Sequence, residues 1–102
     1  MMKRIVKSTT STITLEDEAN RVFDTLIEHP EVDDLFYDSD VEAFCIIFNE
    51  DAEDLTWFGK VIHDLGYSLV SENDEVARYA SIDGFRAWLY EDGDDVELFI
   101  TR

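Results

Sequence analysis

Apolar side chains recur at spacings of three and four along residues 15–27, as on one face of a helix. These positions are Leu15, Ala19, Val22, Phe23, Leu26 and Ile27. Thr14 is of a residue type that caps helix N-termini, and the three carboxylates of residues 16–18 favour the positive end of the helix dipole. The pattern predicts a first long helix that begins after Thr14 and stops at His29-Pro30.

The segments on either side of this helix are less regular. Residues 1–14 are rich in β-branched side chains, which predicts a first strand or an extended arm. Pro30 suits the first turn of a helix, so "PEVDDLFY" predicts one further short helix. Residues 41–48, "VEAFCIIF", are almost continuously apolar, which is typical of a central strand covered on both faces.

A second long helix is predicted over residues 49–66. Its apolar stripe consists of Leu55, Phe58, Ile62 and Leu65. Asn49 or Asp51 is the expected N-cap, and Gly66 is placed to end the helix.

The rest of the chain predicts antiparallel strands. Residues 66–71 and 76–81 flank a polar turn, and Asp83-Gly84 and Asp92-Gly93 are both two-residue hairpin signals. These loops predict one aliphatic sheet face with Ile82, Phe85, Ile100, Ala80, Ala87, Leu98, Leu89 and Val96. The opposite face is expected to carry Tyr79 opposite Trp88, with Tyr90, Phe99 and Arg86, and a cation–π contact from Arg86 to Phe99.

The length of 102 residues supports a single domain over 1–102. We therefore predict an α+β fold: a mixed or antiparallel sheet with a C-terminal β-meander. Two main helices and one short helix are expected to pack mainly on one face of this sheet.

The chain has 25 acidic against 8 basic residues, a formal net charge of −17. Residues 15–54 hold fifteen acids and only Arg21, which gives −14. Phosphates and anionic membranes would be repelled by this surface, so direct nucleic-acid binding and membrane binding are excluded, and a basic protein partner is favoured.

No catalytic, cofactor or metal site is predicted. Cys45 lies within the apolar run and is expected to pack in the core, and neither His29 nor His63 belongs to a catalytic motif. A calcium-hand pattern starting at Asp38 fails, because its sixth position is Ala43 rather than glycine.

The single cysteine and the lack of a signal-peptide-like or membrane-spanning apolar run predict a cytoplasmic protein, in the host cell if the protein is viral.

Residues 28–44 combine seven carboxylates with aromatic side chains and no Lys or Arg. This pattern indicates an inhibitor that mimics DNA or RNA and occupies the basic surface of a nuclease or other nucleic-acid-binding protein. By analogy only, small acidic α+β proteins of phages inhibit restriction enzymes or CRISPR effectors in this way. The predicted partner-binding residues are Asp33, Asp34, Asp38, Asp40, Glu42, Phe36, Tyr37, Glu50, Asp51, Glu53, Asp54, Trp57 and Trp88.

Three other interpretations stay open. An immunity or antitoxin-like protein that binds a basic nuclease toxin needs the same acidity. The Tyr79, Trp88, Tyr90 and Phe99 face would alternatively serve an interaction domain or a homodimer. Finally, a run of acids is also the ordinary composition of a solvated surface that maintains solubility or adapts the protein to a salt-rich host.

Overall fold

A computed structural model describes residues 13–49, 52, 55–92 and 95–102. The predicted N-terminal strand or arm therefore falls almost wholly outside the described residues. In chain order the elements are α1 (Leu15–Leu26), β1 (Val32–Asp38), β2 (Ala43–Phe48), α2 (Phe58–Asp64), β3 (Tyr67–Glu72), β4 (Val76–Ser81), β5 (Arg86–Asp92) and β6 (Asp95–Thr101).

The strands form one six-stranded antiparallel sheet in the order β1-β2-β6-β5-β4-β3. Strands β3 to β6 are a meander, and the hairpin of β1 and β2 joins it where β2 pairs with β6. Among the strands that the structure describes, β1 and β3 form the two edges of this sheet. The prediction of an α+β fold with a C-terminal meander is confirmed.

Both helices pack on the same face of the sheet. The core lies between the two helices and the sheet. It comprises Ala19, Val22, Leu26, Val32, Ile46, Phe48, Phe58, Ile62, Tyr67, Ala77, Phe85, Ala87, Leu89, Val96, Leu98 and Ile100. The other sheet face carries no helix among the described residues, and we call it the open face. One-sided helix packing follows from strand alternation, because the buried apolar side chains of β5 (Ala87, Leu89) and β6 (Val96, Leu98, Ile100) occupy every second position and face the helices.

The first helix forms as its sequence predicts. Thr14 caps it by accepting a 3.0 Å hydrogen bond at Oγ1 from the backbone N–H of Asp17. The buried side chains Ala19, Val22 and Leu26 form one stripe against the sheet. The helix therefore begins at the predicted residue and ends before Pro30.

The predicted short helix after Pro30 is wrong, because residues 32–38 form strand β1. Leu35 pairs with Ile46 and Tyr37 with Phe44 of β2. In this register Val32 is buried and Leu35 packs against the core. Pairing with the apolar strand β2 satisfies the backbone and buries these side chains, which outweighs the local signal of a proline.

The second helix is shorter than predicted. It begins at Phe58 after Trp57, without a side-chain cap, so the expected cap at Asn49 is wrong, and the alternative cap, Asp51, lies outside the described residues. Asn49 instead donates a 2.6 Å hydrogen bond from its side-chain amide to the carbonyl of Pro30. The predicted end is confirmed, since Gly66 follows the last turn with a positive φ of 103° that glycine adopts without strain.

The β4–β5 connection is longer than the two-residue loop predicted at Asp83-Gly84. Strand β4 ends at Ser81 and β5 begins at Arg86, and the N–H of Phe85 donates to Oγ of Ser81 at 3.1 Å. Tyr79 therefore pairs with Ala87, not with Trp88.

This shift of one residue changes which face of β4 meets the core. Tyr79 lies on the helix-covered face, while Ala80 moves to the open face. Ile82, expected in the core, is 98% exposed in the loop. The predicted placements of these three side chains are wrong.

A two-residue loop at Asp92-Gly93 would place Leu89 opposite Val96, and the observed β5–β6 register differs from that pairing by two residues, which leaves the faces unchanged. Leu89 pairs with Leu98, and Trp88 pairs with Phe99 on the open face. Arg86 pairs with Thr101 and is not opposite Phe99, so the predicted cation–π pair is wrong.

Candidate protein-binding surfaces

Five carboxylates follow the outer edge of the sheet and the turn after it. We call Asp33, Asp34, Asp38, Asp40 and Glu42 the acidic edge. The first three belong to β1, which among the described strands pairs only with β2, and the other two lie in the β1–β2 turn. All are exposed except Asp38, which is partly buried. The structure thus brings these five predicted residues together.

Local hydrogen bonds hold part of this surface in place. Oδ1 of Asp34 accepts from the N–H of Leu35 at 2.8 Å, and Oδ1 of Asp38 accepts from the N–H of Asp40 at 3.0 Å. Oδ1 of Asp33 accepts from the amide of Asn49 at 3.3 Å. These bonds restrict the side chains, so the carboxylates sit on a comparatively ordered frame.

The acidic edge has no cationic partner within the described part of the chain. There, the one ion pair joins Arg21 and Glu18 of α1, with 2.8 Å between Nη2 and Oε2. The negative charge of the edge is consequently left for solvent counterions or for a binding partner.

Two aromatic side chains of β1 accompany these acids. Phe36 is 44% exposed and Tyr37 is 50% exposed. They point to opposite sides of the sheet: Phe36 pairs with Cys45 on the open face, whereas Tyr37 makes an edge contact with Phe44 at 5.0 Å between ring centroids. Phe36 is therefore the aromatic residue that connects the acidic edge to the open face.

The open face contains a groove with a volume of about 370 Å³. Its lining residues are Val41, Ala43, Trp88, Tyr90, Asp92, Asp95, Glu97 and Phe99. Tyr90 and Phe99 stand nearly perpendicular, at 86° and 5.6 Å between centroids. The prediction that Trp88, Tyr90 and Phe99 share one face is confirmed. Tyr79, which was predicted to join them, lies on the helix-covered face instead.

Beneath this face, Cys45 is fully buried and donates from Sγ to Oε2 of Glu97 at 3.5 Å. Burial, then the hydrogen bond and the charge of Glu97, raise the pKa of the Cys45 thiol to about 12. The expected packing role of Cys45 is confirmed, and its thiol stays protonated at neutral pH.

The remaining predicted binding residues have different outcomes. Trp57 is partly buried and stacks on His29 with ring centroids 3.6 Å apart, on the helix side of the molecule. Glu50, Asp51, Glu53 and Asp54 lie outside the described residues.

Sequence reasoning missed the carboxylates of the groove. Asp95, Glu97 and Phe99 alternate along β6, which is the signal that places them on one face. Because the β5–β6 loop was predicted at Asp92-Gly93, the pairing of Asp92 with Asp95 was not expected.

Among the described residues, no group of three or more His, Cys, Asp or Glu side chains is arranged to hold a metal ion. No helix in that part of the chain is long and apolar enough to cross a membrane. Comparisons with protein-family models, with curated proteins and with solved structures found no match.

Proposed function

We propose that this protein is a non-enzymatic acidic binding protein that occupies the basic nucleic-acid-binding surface of a target protein. The observation that supports this proposal best is the acidic edge: five carboxylates on an outer strand and its turn, with no ion pair to any described cation. We place the interaction in the cytoplasm, where a lone cysteine such as Cys45 stays reduced.

Electrostatics would drive the association. Like charges close together repel one another in the free protein, and a basic groove relieves that repulsion while it attracts the whole net charge of −17. Complementary potentials of this kind accelerate encounter and make it sensitive to salt. The exposed ring of Phe36 beside the acids supplies an apolar anchor, which long-range charge alone lacks.

The test needs a variant that removes charge without removing packing. Changing Asp33, Asp34, Asp38 and Asp40 to Asn keeps the side-chain acceptors that bond Leu35 and the turn. A matched control changes the exposed residues Glu16, Asp24, Asp64 and Asp74 to Gln or Asn. Both variants have a net charge of −13, four less negative than −17.

The experiment first captures partners from lysate at low and high salt and then measures whether the protein displaces nucleic acid from each captured partner. We expect the acidic-edge variant to compete at least about tenfold less well and to show a flatter salt dependence, and the control to lose about threefold or less. An equal loss of competition in both variants would show that the acidic edge is only a solvated surface. Capture of a single nuclease toxin that is neutralised without competition for nucleic acid would favour the immunity-type function instead.

A further inference from the structure

We propose that the groove on the open face binds a cationic side chain, the guanidinium of an arginine or the ammonium of a lysine, from a basic protein partner. This inference rests on the proposed function and adds a second contact site to it. The acidic edge attracts the partner as a whole, whereas the groove recognises one side chain.

The groove has aromatic walls suited to a cation. Trp88 and Phe99 are cross-strand partners, and the ring of Tyr90 stands at 86° to that of Phe99. The faces of such rings carry the negative part of their quadrupole, so a cation within about 6 Å of a centroid is attracted. Tyr90 is 38% exposed, so the groove opens to solvent rather than into the core.

Carboxylates line the same groove at one end. Asp92 and Asp95 are direct cross-strand partners, and Glu97 pairs with Tyr90 further along. Like charges directly opposite one another destabilise an antiparallel pair. A bound cation would remove that repulsion, so the site gains more from a positive ligand than its contacts alone provide.

Glu97 is also held in position. Its Oε2 accepts from the buried thiol of Cys45 at 3.5 Å. Since that thiol keeps its proton at neutral pH, it remains a donor and fixes one carboxylate oxygen, which leaves the other for a ligand.

The described cations of this protein do not fill the groove. Arg86 donates from Nη2 to the carbonyl of Arg102 at 2.8 Å, and Arg102 itself lies over the ring of Phe85, at 4.4 Å from its centroid. Arg78 pairs with Trp88 from β4 and is not among the lining residues. Arg78 is the cross-strand neighbour of Trp88, so its positive charge should weakly repel a cationic ligand in the groove. Removing that charge therefore tests the site.

The size of the groove agrees with this ligand class. Its volume of about 370 Å³ is near the lower end of the roughly 300–1,000 Å³ typical of ligand sites. One long side chain with its adjoining backbone is therefore the appropriate occupant.

Binding is tested with three blocked pentapeptides, each with four glycines around a central arginine, lysine or citrulline. Citrulline has nearly the shape of arginine without its charge. We expect the indole N–H resonance of Trp88 to shift saturably with the arginine or lysine peptide and to remain unchanged with citrulline. The resonance of Trp57, which stacks on His29 away from the groove, is the internal control. Equal shifts with all three peptides, or none with any, would overturn the proposal.

Variants then separate the groove from net charge, with affinity measured by titration of backbone amide resonances. Changing Asp92, Asp95 and Glu97 to Asn, Asn and Gln should weaken peptide binding at least about tenfold, since it removes the three carboxylates that line the groove. Changing the exposed residues Glu16, Asp24 and Asp64 to Gln, Asn and Asn removes the same charge away from the groove and should alter affinity by about twofold or less.

Two single variants complete the test. Trp88→Leu keeps apolar cover but removes the ring face, and should weaken binding about fivefold. Arg78→Gln should strengthen binding about twofold. If both triple variants weaken binding equally, only the net charge matters and the groove is not a site. A failed peptide test alongside a successful acidic-edge test removes this inference alone and leaves the proposed function standing.

Discussion

The phenolic hydroxyl of Tyr67 donates a 2.6 Å hydrogen bond to Oε2 of Glu18, and both side chains are almost fully buried. Arg21 donates to both oxygens of the same carboxylate, from Nε at 3.0 Å and from Nη2 at 2.8 Å. It also donates to the carbonyl of Leu65, at the end of α2. One buried carboxylate therefore links α1 with the start of β3.

Replacing Tyr67 by Phe should destabilise the protein by about 1.5–3 kcal/mol, the usual magnitude for a hydrogen bond to a buried charge. The variant keeps the ring in the core and removes only the donor to Glu18. Urea unfolding measures the change, with Tyr90→Phe as the control on an exposed tyrosine. A loss in the Tyr67 variant no larger than in the control would show that Arg21 alone satisfies the carboxylate.

The same pair predicts a dependence on alkaline pH. Burial, and then the hydrogen bond and charge of Glu18, raise the pKa of Tyr67 above its ordinary value of 10.0. Because the folded-state pKa is raised, this stabilisation is complete below the unfolded pKa and is lost as pH rises towards the folded-state pKa. The stability difference between the parent and Tyr67→Phe should therefore shrink above about pH 10. A difference that stays constant through that range would contradict the network.

Cys45 should be unreactive while the protein is folded. Its thiol is fully buried with a pKa raised to about 12, so the nucleophilic thiolate is scarce at neutral pH. A disulfide reagent at about pH 8 should label it only as fast as the protein opens, and promptly in denaturant. Rapid stoichiometric labelling of the native protein would show that β2 is not covered as described.

The backbone of Glu42 adopts a strained conformation whose energetic cost can be measured. Its φ of 54° lies in the left-handed region, which costs a residue with a side chain about 1–2 kcal/mol. Glu42→Gly should raise the free energy of unfolding by about 0.5–1 kcal/mol after the greater entropy of glycine in the unfolded chain is deducted. Glu42→Gln is the control, because it removes the same charge and keeps the strain. Gly and Gln variants of equal stability would mean that only the charge matters.

The β4–β5 register can be tested at Ile82. Ile82→Ser should change stability by less than about 0.5 kcal/mol, since the side chain is 98% exposed. Leu98→Ala, at a fully buried position on β6, should cost about 2–5 kcal/mol. Thermal or urea unfolding compares them. A large loss of stability in Ile82→Ser would instead support the two-residue loop predicted at Asp83-Gly84.

Local patterns along the chain predict much of this fold. Apolar spacing and the Thr14 cap define α1, and alternation identifies the strands of the meander. Gly66 ends α2 because it accepts a positive φ. Each of these features depends on residues close in sequence, so the sequence contains the physical cause.

Long-range contacts decided the rest. Val32–Asp38 is a strand because β2 offers it a pairing edge, and no local signal contains that edge. Loop lengths fixed the registers, so Tyr79 turned to the core and Asp92 came opposite Asp95. The burial of Glu18 likewise needed Tyr67, which is 49 residues away.

The candidate surfaces divide in the same way. The sequence by itself determined an excess of acids in residues 28–44 and their mixture with aromatic side chains. Only the tertiary structure placed Asp33, Asp34 and Asp38 on an edge strand and assembled the groove from β2, β5, β6 and the β1–β2 turn. Charge is a property of each residue, whereas a surface depends on which strands become neighbours. Strands become neighbours because that arrangement buries their apolar side chains in one shared core.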